Sequence, residues 1–216
     1  MNGKMENCKI MEKFKDIAEK ELQKSRLENL KQVRLDLQNK DKDLLDKINN
    51  FCERWDNVFN YNDISKQIIE NDLVAANFAK DPKKQNITEK LVAKLINVPL
   101  LPQSGKNVIR FDKNGNIIHK KDGDECKAAD FYFNDIYITQ KYTSYKTGGG
   151  AQDNQAADVI KFLDFGSKQY KVGALLDGEY WDNERRIELK EKYKYNNNVI
   201  ILSMDEILNG EYVINA

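Results

Sequence analysis

The sequence predicts an α/β fold: a central mixed β-sheet flanked by helices, preceded by a mainly helical N-terminal region. Three observations predict it. Two aromatic and β-branched runs, Phe131–Phe133 and Ile136–Ile138, bracket Asn134–Asp135, which is the pattern of a tight hairpin. Two further apolar runs, Val172–Leu176 and Val199–Leu202, alternate with helical stretches, as buried strands do. Residues from about 9 to 50 are rich in Lys, Glu, Asp, Gln and Leu and contain no proline, which predicts helix. The expected division is a helical region over 1–80 and a sheet-containing core over 81–216.

Composition excludes several classes. Lys and Arg number 35 against 35 Asp and Glu, so the chain as a whole is no polycation, and nucleic-acid binding would need a local basic surface. Cys8, Cys52 and Cys126 are odd in number and far apart, which suggests a reducing compartment rather than a disulfide framework or a Cys-x-x-Cys zinc site. No signal-peptide pattern opens the sequence and no apolar run approaches the ~20 residues of a membrane span, so a cytoplasmic protein with no membrane partner is expected. The single histidine, His119, cannot by itself supply a multi-histidine metal centre or an HNH-type nuclease site. No nucleophile elbow and no Gly-x-x-x-x-Gly-Lys-Ser/Thr loop is present, which argues against a serine hydrolase and an NTPase.

Along the N-terminal region, Ile10, Phe14, Ile17, Leu27, Leu30 and Leu37 recur at helical intervals, giving one long or two shorter amphipathic helices. They pack on a core or on a partner chain; alternatively they carry Lys20, Lys24, Lys31 and Arg34 along a DNA backbone, although interspersed glutamates weaken that stripe. Phe51, Trp55, Phe59, Tyr61 and Phe78 form an aromatic cluster, read as core packing or as stacking on a base. Asp81–Pro82 marks a boundary, and a helix is expected from about Pro82 to Asn97 with Gln85 and Glu89 on one face. Asn114–Gly115 predicts a second hairpin, with Val108–Phe111 and Ile117–His119 as its arms. Lys106, Arg110, Lys113, Lys120 and Lys121 make it locally basic, either an ordinary charged surface or a seat for phosphates.

The first hairpin has the most specific geometry. With Asn134–Asp135 as its turn, Phe133 faces Ile136, Tyr132 faces Tyr137, Phe131 faces Ile138 and Asp130 faces Thr139. Lys141, two residues on, points to the same side as Thr139, and Gln140 points away. Asp130, Thr139 and Lys141 therefore form one polar cluster. An acid and an amine held together at a strand end suit a hydrated metal and a scissile phosphate.

Ala129–Asp130 followed by Thr139–Gln140–Lys141 resembles the core of the PD-(D/E)xK nucleases, which include many type II restriction endonucleases. The order after Lys141 is similar too: a loop Thr147–Gly150, a helix, the strand at Tyr170–Gly178, a helix, the strand at Val199–Leu202, and a helix capped by Ser203 and Glu206. The resemblance covers roughly the C-terminal half. It implies a restriction-endonuclease-like fold and a sequence-specific, Mg²⁺-dependent endonuclease acting on double-stranded DNA, working as a homodimer of a restriction-modification type. Asp130 would bind the metal and Lys141 would orient water or steady charge. Thr139 stands where the family carries an acid, and a hydroxyl is a poorer ligand for a hard divalent cation. Glu89 is a candidate for the missing acid, with Asp153 and Asp158 next. Lys106, Lys146, Gly149, Gln152, Asn154 and Gln155 are candidates for DNA contact, glycines for close approach to phosphate and amides for base edges. The rival expectation is a non-catalytic DNA-binding or assembly subunit that keeps the nuclease fold, with Thr139 as its reason. A third is a helical interaction protein carrying a small sheet.

Overall fold

The computed structural model describes residues 13–56, 58–120, 123, 125–144, 150–181 and 183–214. It divides into two compact units, Ala18–Thr88 and a second made of the N-terminal residues to Ile17 with Glu89–Ala216. Helix α1 (Phe14–Gln38) starts in the second unit and runs into the first.

The Ala18–Thr88 unit is helical. Its elements are most of α1, then α2 (Lys42–Arg54), α3 (Tyr61–Glu70), α4 (Asp72–Phe78) and a 3₁₀ turn over Pro82–Gln85. Of the one long or two shorter helices expected in the N-terminal region, the structure has two, since α1 stops at Gln38 and Lys40 takes a left-handed φ of 55° before α2 begins. Asp41, Asn60 and Asn71 cap α2, α3 and α4, each accepting a main-chain N–H that the first helical turn would leave unpaired. Leu44, Ile48 and Cys52 recur every fourth residue and bury one stripe of α2 against Val33, Ile64 and Ile68.

The second unit holds the sheets. After α5 (Ile87–Ile96), β1 (Arg110–Phe111) and β2 (Ile117–Ile118) form an antiparallel ribbon around Gly115 at φ 88°. The Asp112 carboxylate accepts the N–H groups of Asn114 and Asn116, which fixes that turn. The main sheet has the order β3-β4-β5-β6: β3 (Phe131–Phe133), β4 (Ile136–Tyr142), β5 (Lys171–Asp177) and β6 (Val199–Leu202). The β3–β4 pair is antiparallel, and the β4–β5 and β5–β6 pairs are parallel, so the sheet is mixed as expected. Helix α6 (Gly150–Gly166) connects β4 to β5, and a 3₁₀ turn (Glu179–Trp181) with α7 (Asn183–Lys192) connects β5 to β6. Phe162, Leu163 and Val159 of α6 pack on Val172, Ala174 and Leu176 of β5. Short α8 (Met204–Leu208) ends the fold with the expected Ser203–Glu206 capping box.

The hairpin register is the predicted one: Phe131 opposite Ile138, Tyr132 opposite Tyr137, Phe133 opposite Ile136. Asn134 and Asp135 both have positive φ, 50° and 62°, as the primed two-residue turn requires. The expected helix over Pro82–Asn97 is corrected. Asn86 adopts φ 54° and separates the 3₁₀ turn from α5, so Gln85 and Glu89 do not share a helical face. Gln85 instead accepts a hydrogen bond from the Asn29 side chain at 2.6 Å.

Candidate functional site

The hairpin turn sets the register that places the candidate cluster. Asp130 lies just before β3, and its main-chain N–H donates to the Ile138 carbonyl at 2.8 Å. Its main-chain carbonyl accepts from Leu101 N–H at 2.8 Å, which ties the segment after α5 to the same point. The carboxylate is buried. Its Oδ2 accepts the Gln140 main-chain N–H at 2.7 Å and takes a longer contact from the Thr139 hydroxyl at 3.3 Å. The Lys141 ammonium is 3.7 Å from the same oxygen and donates to the Gln140 carbonyl at 2.7 Å. Asp130, Thr139 and Lys141 thus converge on one point, where Lys141 bridges a carboxylate and a main-chain carbonyl. The Thr139 hydroxyl is directed at Asp130 here.

Position in the sheet explains the protection of the pair. Through the β4–β5 register, Thr139 and Lys141 stand beside Ala174 and Leu176, whose side chains pack under α6. The ion pair therefore sits at the margin of an apolar layer, where a charge interaction is screened less than in water. The parallel strands end here, the place where open α/β sheets carry their ligands. At that end, the Thr143 hydroxyl donates to Gln155 Oε1 at 2.8 Å, which pins the first turns of α6 to β4.

The remaining candidates are distributed as follows. Glu89 occupies the first turn of α5 and is half-buried. Asp158 is ion-paired with Lys127, three residues before Asp130. Asp153 is exposed in the first turn of α6, close enough to Tyr180 to hydrogen-bond it. Asn154 and Lys106 are exposed, while Gln155 is half-buried and engaged by Thr143, so one end of the amide expected to read a base is held internally. Arg110, expected on a basic surface, is buried instead. Lys146 and Gly149, with the side chain of Gln152, lie outside the described residues. Among the described residues no three His, Cys, Asp or Glu side chains gather as a metal cluster.

The opposite face of the sheet carries polar groups that the sequence pattern hid. Gln140 is fully buried, and neither amide atom has a hydrogen-bond partner. Asp177, at the end of β5, is buried with Oδ1 accepting the Met204 N–H at 3.0 Å and Oδ2 unpartnered. Burial pushes its carboxyl up to about 7, against the lowering effects of the Met204 N–H and the Arg186 charge. An aspartate that ends an apolar strand run, just before a glycine, was the available signal. It reads equally well as an ordinary turn residue.

No helix among the described residues is long and apolar enough to cross a membrane. No family model, no curated protein and no solved structure matches this chain.

Proposed function

We propose that Asp130 and Lys141 form the catalytic centre of a Mg²⁺-dependent endonuclease for double-stranded DNA, resembling a type II restriction enzyme. The carrying observation is the convergence of Asp130, from the start of β3, and Lys141, from β4, at 3.7 Å. Two features support it. A hairpin leads into parallel strands through α6, in the order that the PD-(D/E)xK resemblance implies. The cluster also lies at the strand ends, beside the start of a helix.

The oxygens present fit magnesium in its sparsest protein mode. Mg²⁺ takes one or two carboxylates, keeps several waters and draws the rest from substrate phosphate. Asp130 and the Gln140 carbonyl would hold it, with Glu89 as the candidate second acid. When bound, the ion would polarise the phosphate and acidify a water. Thr139 and the Gln140 N–H orient the Asp130 carboxylate. Lys141 balances negative charge on the phosphate oxygens or orients the attacking water. A palindromic site in duplex DNA would suit a two-fold homodimer.

The test is cleavage of mixed plasmid and phage DNA with Mg²⁺, comparing wild type with Asp130→Ala and Lys141→Ala. Discrete fragments from wild type alone are expected. A second reading has one observation behind it. Thr139 occupies the acid position and directs its hydroxyl to Asp130. This suits a non-catalytic DNA-binding or assembly subunit. Duplex binding by folded protein, without cleavage under Mg²⁺ or Mn²⁺, selects that reading.

A further inference from the structure

We infer that the helical unit carries a stacking site for unpaired nucleotides of single-stranded nucleic acid, built on Phe51, Trp55 and Phe59. The site is independent of the Asp130–Lys141 pair and of any metal. Helix α2 repeats every 3.6 residues, so Lys47, Asn50, Phe51 and Arg54 fall on one stripe, and Trp55 follows Phe51 by one turn. Lys47, Asn50, Phe51 and Arg54, with Asn77 and Phe78, line a groove whose described lining holds two cations, two amides and no acid, and Trp55 and Phe59 extend the aromatic surface outward from Phe51. The rings form a continuous ladder. Phe51 lies 5.6 Å from Phe78, 6.3 Å from Trp55 and 6.0 Å from Phe59, and Trp55 lies 5.9 Å from Phe59. Phe78 anchors it in the core, whereas Trp55 is 55% exposed and Phe59 is 40% exposed. Leaving that much aromatic surface in water forgoes burial that such rings ordinarily gain.

The chemistry around the rings identifies the occupant. Every base offers a π-face, so stacking on an aromatic side chain is favourable without regard to sequence. Arg54 uses Nε on the Asn50 carbonyl at 3.3 Å and lines the same groove as Phe51. Asn77 donates to the Leu73 carbonyl through Nδ2, so its Oδ1 can accept from a base edge. Lys47 and Arg54 suit the phosphates on either side of a stacked base. The neighbouring groove, which shares Lys47, Asn50 and Phe78, is lined by Asp36, Asp41, Asp43 and Asp46. Those carboxylates bar a long polyanion from continuing along α2. Contact is therefore confined to about two phosphates, and log K should fall with log salt at a slope of about −1.4.

The full-length protein in EDTA would be titrated with a short oligothymidylate and with a duplex of equal length. Tryptophan fluorescence is the readout. Trp181 is 1% exposed, so quenching reports on Trp55. Saturable quenching by the single strand, weak quenching by the duplex and a salt slope between about −1 and −2 are expected. Trp55→Ala, followed by anisotropy of labelled oligothymidylate, should weaken binding by roughly tenfold. Arg54→Gln, which leaves every ring in place, should also weaken binding and flatten the slope. Quenching by acrylamide but by no oligonucleotide would overturn the proposal. So would a slope steeper than about −4, which would mean an extended cationic track elsewhere. A dimeric mass with Trp55 shielded from acrylamide would also overturn it, by making a second copy the occupant. Because no cleavage is measured, failure here leaves the endonuclease reading where it stood, and failure of that reading leaves this one intact.

Discussion

Lys141 holds the candidate site in a neutral resting arrangement. Among the described residues Asp130 is the acid in contact with it, and the ammonium already bridges Asp130 Oδ2 and the Gln140 carbonyl. Those are the oxygens that a divalent cation would take. With Thr139 in place of a carboxylate, that position adds no negative charge to offset the competition between ammonium and metal. A DNA phosphate, by pairing with Lys141, would release both oxygens. Lys141→Met keeps the length of the side chain and removes the charge. Mn²⁺ binding followed by electron paramagnetic resonance without DNA should therefore be stronger in Lys141→Met than in wild type, by roughly tenfold if the ion pair contributes about 1.4 kcal/mol. Equal or weaker binding in the variant would show that Asp130 and the Gln140 carbonyl do not form the metal seat. The Asp130–Lys141 pairing was readable beforehand because strand side chains alternate strictly and one turn fixed the register. The Asp177 burial was not, since nothing local distinguishes an aspartate under a helix from one in water.

Element boundaries follow the residues that force φ positive. At the end of β5, Gly178 has φ 95°, and a Cβ there would lie 2.3 Å from the Thr143 carbonyl oxygen. The same Thr143 carbonyl accepts Tyr180 N–H at 3.2 Å, and Thr143 N–H donates to Asp177 at 3.0 Å. The close approach thus joins the exits of β4 and β5 next to the candidate site. Gly178→Ala adds both strain and a backbone clash, so a loss of about 2–4 kcal/mol in urea unfolding is expected. A loss below about 0.5 kcal/mol would show that the turn relaxes freely. The positive φ at Asn134–Asp135 was legible because apolar alternation on both sides made the turn necessary. The one at Asn86 was not. The apolar spacing from Ile87 onward reads smoothly back to Pro82, and the break at Asn86 falls beside Gln85, whose side chain is held by Asn29 from far away in sequence. Tertiary contacts of this kind override local periodicity without leaving a mark in the window that periodicity uses.

At the scale of the whole molecule, each unit has its own core and one tryptophan, Trp55 in the helical unit and Trp181 in the sheet unit. A Trp55→Phe background therefore reports unfolding of the sheet unit alone, without assuming that both units melt together. Asp177 should dominate one part of its pH dependence. Its carboxyl lies at about 7 when folded and near 3.8 when unfolded, so between these values the folded state holds a proton that the unfolded state has released. Stability from this group is full below about pH 3.8 and is lost as pH rises to about 7. Ionising it in place costs on the order of 4 kcal/mol. Glu206 works the other way. Lys190 and the Ser203 capping contacts hold it low despite burial, so its contribution is lost as pH falls. Raw stability is thus a sum of opposing slopes, and the difference between wild type and Asp177→Asn isolates one of them. Asparagine keeps an oxygen for the Met204 N–H and cannot ionise. Urea unfolding followed through Trp181 should show Asp177→Asn gaining on wild type steadily from about pH 4 to pH 7 and levelling above it. A difference that stays constant across that range would place the Asp177 carboxyl near its ordinary value and require water or an unseen donor at Oδ2.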